Sequence, residues 1–163
     1  MLKPVILGLD AQPFPCKAAG IIVRSKEDKT LFVDRRKGTL GWACPAGHLE
    51  TDYSDVFEKD FFEDPAHCAW RELREETAVV LPAYPTILKL HANIAYNTCG
   101  RPAGQDGHEW YVYYSEVDDD HVELKEPDKH RGIGWFKRQE IQALELEPVW
   151  RLILNHLQII SND

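Results

Sequence analysis

Apolar residues fall into five short runs of strand character and two longer stretches of helical spacing. Residues 17–24 (KAAGIIVR) and 31–35 (LFVDR) are rich in β-branched and aromatic side chains and flank the charged turn SKEDK, which predicts a hairpin. Further strands are predicted over 87–96, 109–117 and 132–136, the first two separated by the Gly- and Pro-containing loop CGRPAGQDG. A helix is predicted over 65–77, with Asp64 as its N-cap and Pro65 at the first helical position, where a missing N–H costs nothing. Ala66, Trp70, Leu73 and Thr77 form the face expected to dock on the sheet. A last helix over 147–160 carries Val149, Leu152, Ile153, Leu157 and Ile160 at roughly helical intervals. Strands, a helix, more strands and a terminal helix predict an α/β fold, a mixed sheet with helices on its faces. No repeat or linker divides residues 1–163, so one domain is expected.

Composition narrows the class. The chain has 163 residues, 44% hydrophobic and 28% charged, which excludes a disordered or fibrous protein. Its 27 acids against 19 Lys and Arg, a net charge of −8, argue against a surface that grips nucleic-acid phosphate. The same balance suits a site that collects divalent cations. No apolar run approaches the roughly 20 residues that span a bilayer. The opening MLKPVILGLDAQPFP is too short in its apolar part, and too interrupted by Pro, for a signal peptide, so a cytoplasmic protein is expected. Cys16, Cys44, Cys68 and Cys99 stand apart without a CxxC pair, and the seven His are scattered. Zinc-ligand spacing is therefore missing from the sequence, and no zinc site is expected.

The chemistry concentrates on the first helix. Glu72, Glu75 and Glu76 lie at i, i+3 and i+4, so three carboxylates share one side. Taken alone, such a stripe is also what a solvated surface helix neutralised by Arg71 and Arg74 would show. The wider context decides between them. Gly47, then Glu63, seven residues, then Arg71-Glu72-Leu73, Arg74, Glu75-Glu76, Thr77, Ala78 and Val79 resembles the signature of the Nudix hydrolases, GX5EX7REUXEEXGU with U aliphatic. Two departures stand out. Fifteen residues separate Gly47 from Glu63 where the signature has five, which reads as an insertion over 53–62, either a surface elaboration or a lid. The final Gly is Ala78, so altered geometry is expected at the helix end, with the chemistry kept.

The resemblance implies a Nudix-type α/β/α sandwich and a magnesium-dependent pyrophosphohydrolase, with manganese as a substitute. It implies that Glu72, Glu76 and the Gly47 carbonyl bind metal, and that Glu75 binds metal or its water and helps deprotonate the nucleophile. Arg71 and Glu63 would orient that face. An acid outside the signature often serves as base or ligand in the family. Glu109 and Glu126 are the candidates, and Glu126 is favoured because Glu126-Pro127-Asp128-Lys129 resembles an EPxK element of a triphosphate-hydrolysing subgroup. Arg35, His48 and Lys129 are expected to contact substrate. The implied substrate is a nucleoside diphosphate linked to another group, foremost a nucleoside triphosphate. An ADP-ribose or nucleotide-sugar pyrophosphatase and a non-catalytic nucleotide-binding module are the alternatives. The expected partner is the nucleotide, with no nucleic-acid polymer and no membrane, and with a homodimer left open.

Overall fold

In chain order the elements are β1 (Val5–Leu7), β2 (Lys17–Ser25), β3 (Thr30–Arg35), β4 (Gly41–Ala43), β5 (Ala46–His48), β6 (Thr51–Asp52), β7 (Phe61–Phe62), α1 (Pro65–Thr77), β8 (Ile87–Ala95), β9 (Gly107–Val117), β10 (His130–Phe136), α2 (Arg138–Ala143) and α3 (Pro148–His156). The computed structural model describes residues 2–52 and 61–161.

The mixed sheet is built around one parallel pair, β2 beside β9, aligned from Lys17 with Glu109 to Ser25 with Val117. Its order is β1-β8-β9-β2-β3-β10, with β4 on β3 and β5 on β2. The predicted hairpin forms, but β2 and β3 pair only at Arg24 and Thr30 and then diverge. The divergence leaves room for β5, which pairs Ala18, Ala19 and Gly20 of β2 with His48, Gly47 and Ala46.

Both faces of the sheet are covered, as alternation along buried central strands requires. Ala19, Ile21 and Val23 point to the α1 face and pack with Cys68, Ala69 and Leu73. Ile22 and Phe32 point to the other face, where Trp150, Ile153 and Leu154 of α3 close a second core. The result is the α/β/α sandwich expected.

Helix α1 has the predicted bounds, and Asp64 Oδ1 accepts the Ala66 N–H at 2.8 Å. Its docked side is rotated from the one predicted. Cys68, Ala69, Leu73, Glu76 and Thr77 are buried, whereas Ala66 and Trp70 lie at the margin. Trp70 covers the edge, donating from Nε1 to the Leu81 carbonyl at 3.1 Å with Arg74 over its ring.

Other readings need correction. Ala78 adopts the left-handed cap itself, φ 66°, and donates its N–H to the Arg74 carbonyl, so the helix end keeps its form despite the missing Gly. Helix α3 ends at His156, because Gln158 turns left-handed at φ 60° and folds Ile160 back into the core. Strand β1, pairing Val5 with Ala95, and the short α2 were not anticipated. Residues 53–60 of the insertion, with the lid reading placed on them, lie outside the described residues. The two residues before the insertion and its last two pair as β6 and β7, Thr51 with Phe62 and Asp52 with Phe61. Among the described residues no helix is long and apolar enough to cross a membrane.

Candidate active site

Strand β5 and helix α1 are joined where the signature residues lie. The Cys68 thiol donates to the Gly47 carbonyl at 3.7 Å and the His48 carbonyl at 3.5 Å, and Arg71 Nη2 reaches the His48 carbonyl at 3.3 Å. A Cβ on Gly47 would sit 2.1 Å from Glu72 Oε1, so only glycine lets the Glu72 carboxylate lie against the β5 backbone.

Glu63 and Arg71 form the brace. Arg71 Nε and Nη2 each donate at 2.9 Å to the two Glu63 oxygens, a bidentate pair. Glu63 also accepts the Glu50 N–H at 3.0 Å and meets His67 Nδ1 at 2.5 Å. Burial alone would raise the Glu63 carboxyl, but Arg71, Glu50 and His67 together hold it down at about 2. Arg71 Nη1 reaches onward to Glu72 Oε1 and Glu75 Oε2, both at 3.1 Å.

A cavity of about 380 Å³ opens beside this brace and is lined by Gly47, Glu72, Glu76, Glu126, Lys129 and Arg35 among others. Burial pushes the Glu72 carboxyl up to about 7, with Glu75 and Glu126 adding to the rise and Arg71 opposing it. Glu76 is raised well above the usual carboxylate range, first by burial and then by Glu72. Glu76 is 6% exposed and, among the described residues, its Oε2 has no hydrogen-bond partner. A buried, unpaired carboxylate oxygen facing other acids is costly as it stands. A divalent cation reverses each of these repulsions, so Gly47, Glu72 and Glu76 fit one well, with oxygen donors suited to a hard ion.

The predicted residues sort clearly. Glu126 lines the cavity and pairs through Oε2 with Lys129 Nζ at 2.6 Å. Glu109 lies elsewhere, paired with Lys17 and bonded to His91 Nε2 at 2.9 Å and Tyr111 Oη at 2.7 Å. Glu75 is 44% exposed at the rim, outside the cavity lining. Arg35 stands at the cavity and pairs with the buried Glu147 at 3.1 Å. His48 lines the cavity but turns Nε2 toward His108 Nε2, 3.3 Å away.

The fold agrees with what is found in other proteins. A family model described as NUDIX domain matches residues 15–157. The chain belongs to the Nudix family. As a Nudix enzyme it is a pyrophosphohydrolase of nucleoside diphosphate derivatives, a class that uses divalent metal ions. No curated protein matches it in sequence. Solved structures with the same fold include a MutT Nudix hydrolase from Burkholderia pseudomallei, at TM-score 0.65, 18% identity and coverage of 93% of this chain and 100% of that one. A C. elegans Ap4A hydrolase binary complex aligns at TM-score 0.60 and 18% identity, covering 88% of this chain and 93% of that one. The Nudix domain of Shewanella oneidensis NrtR, complexed with ADP ribose, aligns at TM-score 0.60 and 15% identity, covering 93% and 92%.

Sequence reasoning missed Arg101 and His130, which line the cavity together with Lys37. Arg101 comes from the loop after β8 and has no neighbouring motif to mark it. Glu147, expected only to begin a helix, is a buried acid opposite Arg35.

Proposed function

We propose that the chain hydrolyses a nucleoside triphosphate to the monophosphate and pyrophosphate. One observation carries this reading: Arg35, Lys37, Arg101 and Lys129 ring the same cavity as Glu72, Glu76 and Glu126. A polyphosphate with several charges matches that mixture, since cations grip its oxygens while the acids hold magnesium. The Gly47 carbonyl and the carboxylates of Glu72, Glu75 and Glu76 would hold the magnesium, with manganese as a substitute. When bound, the ion supplies positive charge against the phosphate oxygens and makes nearby water more acidic.

The remaining work falls to the chain. The Glu63–Arg71 pair fixes Glu72 at one end of the cavity and Glu75 at its rim. Arg35 and Lys129 orient the phosphates, guanidinium and ammonium both donating to their oxygens. Glu126 takes the proton of the attacking water. Its Oε2 is occupied by Lys129, and Oε1 makes no hydrogen bond among the described residues. The water oxygen bonds to phosphorus as the bridge between the α and β phosphates breaks, and pyrophosphate leaves.

A screen of nucleoside triphosphates, ADP-ribose and nucleotide sugars at fixed magnesium tests this reading. Monophosphate and pyrophosphate from a triphosphate are expected. Turnover confined to ADP-ribose or a nucleotide sugar would replace the triphosphate assignment.

A further inference from the structure

On the other side of β5 from the carboxylates, four side chains from distant parts of the sequence meet. Cys16 precedes β2, His48 ends β5, Cys99 lies in the loop after β8 and His108 is near the start of β9. One ligand atom from each lies within 4.8 Å of all the others. The two Nε2 atoms are 3.3 Å apart and the two sulfurs 4.0 Å. A tetrahedron with Zn–N of about 2.05 Å and Zn–S of about 2.3 Å has an N···N edge of about 3.3 Å and an S···S edge of about 3.8 Å. Both observed separations match those edges.

The surroundings are built to hold the four atoms. His108 Nδ1 lies 2.5 Å from the Asn97 carbonyl, which makes Nδ1 the donor and leaves the Nε2 lone pair facing the cluster. A Cβ on Gly104 would sit 2.2 Å from Cys99 Sγ and 3.4 Å from both Cys16 Sγ and His108 Nε2, so the loop backbone is pressed onto the ligands. The Cys99 N–H bonds to the Gly104 carbonyl at 2.9 Å and closes the turn. Cys16 and His108 are buried, and Cys99 and His48 are half-buried.

We propose that Cys16, His48, Cys99 and His108 bind one zinc ion in a closed tetrahedral site. Binding joins zinc to two sulfurs and two nitrogens and releases the two thiol protons to solvent. With four protein ligands no position is open to water, so the ion is structural. It ties the start of β2, the end of β5 and the loop after β8 into one unit. That unit carries Gly47 and Arg101, two residues lining the phosphate cavity. His48 is then a metal ligand and not a substrate contact. The zinc site does not depend on which nucleotide the cavity takes.

The chain purified in zinc-free magnesium buffer under reducing conditions, then dialysed with one equivalent of zinc, is expected to keep one zinc per chain by elemental analysis. Cobalt in place of zinc is expected to show intense visible bands of tetrahedral geometry and a thiolate charge-transfer band. Cys99→Ser, a change at a half-buried loop position, is expected to remove that charge-transfer intensity in large part, and the Cys16→Ser/Cys99→Ser double variant to remove it entirely. Glu72→Gln/Glu76→Gln is expected to keep the zinc and the cobalt spectrum. No stoichiometric zinc in the reduced unmodified chain, a cobalt spectrum without thiolate character, or undiminished zinc in the double Cys variant would each overturn the site.

Discussion

Gly47 and His48 are adjacent on β5, yet they face two clusters of opposite chemical character. Toward α1 lie oxygen donors, Glu72, Glu76 and Glu126, in a cavity rimmed by cations. Toward the loop after β8 lie sulfur and imidazole, Cys16, Cys99, His48 and His108. The first suits a hard, exchangeable ion such as magnesium, and the second a soft-tolerant, permanently bound zinc. One short strand thereby serves both sites. Its backbone approaches the Glu72 carboxylate at a glycine, and the next side chain points the other way, as strand alternation demands.

The largest effects should fall on the oxygen side alone. Glu76→Gln is expected to lower kcat by roughly 10³-fold or more, because it would remove a proposed ligand of the ion that neutralises the phosphates, while leaving zinc content unchanged. Loss of zinc in that variant would break the separation of the two clusters. Glu126→Gln is expected to cost about 10²-fold in kcat, in line with a general base, and to leave the midpoint of the magnesium titration within a few-fold. Paired steady-state rates and magnesium titrations check both.

Smaller effects follow from the brace and the helix end. Glu63 is held near 2 in the folded chain against an ordinary 4.5, so its contribution is complete above pH about 4.5 and disappears as pH falls through 2. Glu63→Gln is therefore expected to lower stability at neutral pH by about 1–2 kcal/mol, solvent screening having reduced the full displacement, and to flatten acid unfolding over that window. Urea melts at pH 7 and pH 3 measure both. Ala78→Gly is expected to raise stability by about 1 kcal/mol, because φ 66° strains Ala and not Gly. Since it touches neither cluster, rates and metal content should stay at their original values.

How much could be read from the sequence followed the same division. Glu72, Glu75 and Glu76 belong to one helix, so their spacing along the chain is also their spacing in space, whereas the roles of Arg71 and Glu63 came from the family resemblance. A mixed sheet with helices on its faces was legible because β2 is apolar along nearly its whole length and must be covered on both sides, and the α/β/α sandwich came with the family resemblance. The Cys–His cluster was not, since its four members come from segments joined only by the pairing of β2 with β5 and β9. No ligand pair is close in sequence, so the expected zinc spacing never appears. Glu76 was half legible. It sits on the acid stripe, but the rotation of α1 buries it beneath β5, which the apolar pattern of Ala66, Trp70, Leu73 and Thr77 did not anticipate. Ala78 taught the reverse lesson, because tertiary packing imposed a left-handed cap that local preference disfavours.

The proposed function requires that a polyphosphate be cleaved at the cavity between β5 and α1 by residues that need a divalent ion. Release of pyrophosphate from a nucleoside triphosphate, measured for the unmodified chain and for Glu76→Gln across a magnesium series, tests it most directly. Magnesium-dependent pyrophosphate is expected from the unmodified chain and essentially none from the variant. No magnesium-dependent release from the unmodified chain, or an undiminished rate in the variant, would contradict it.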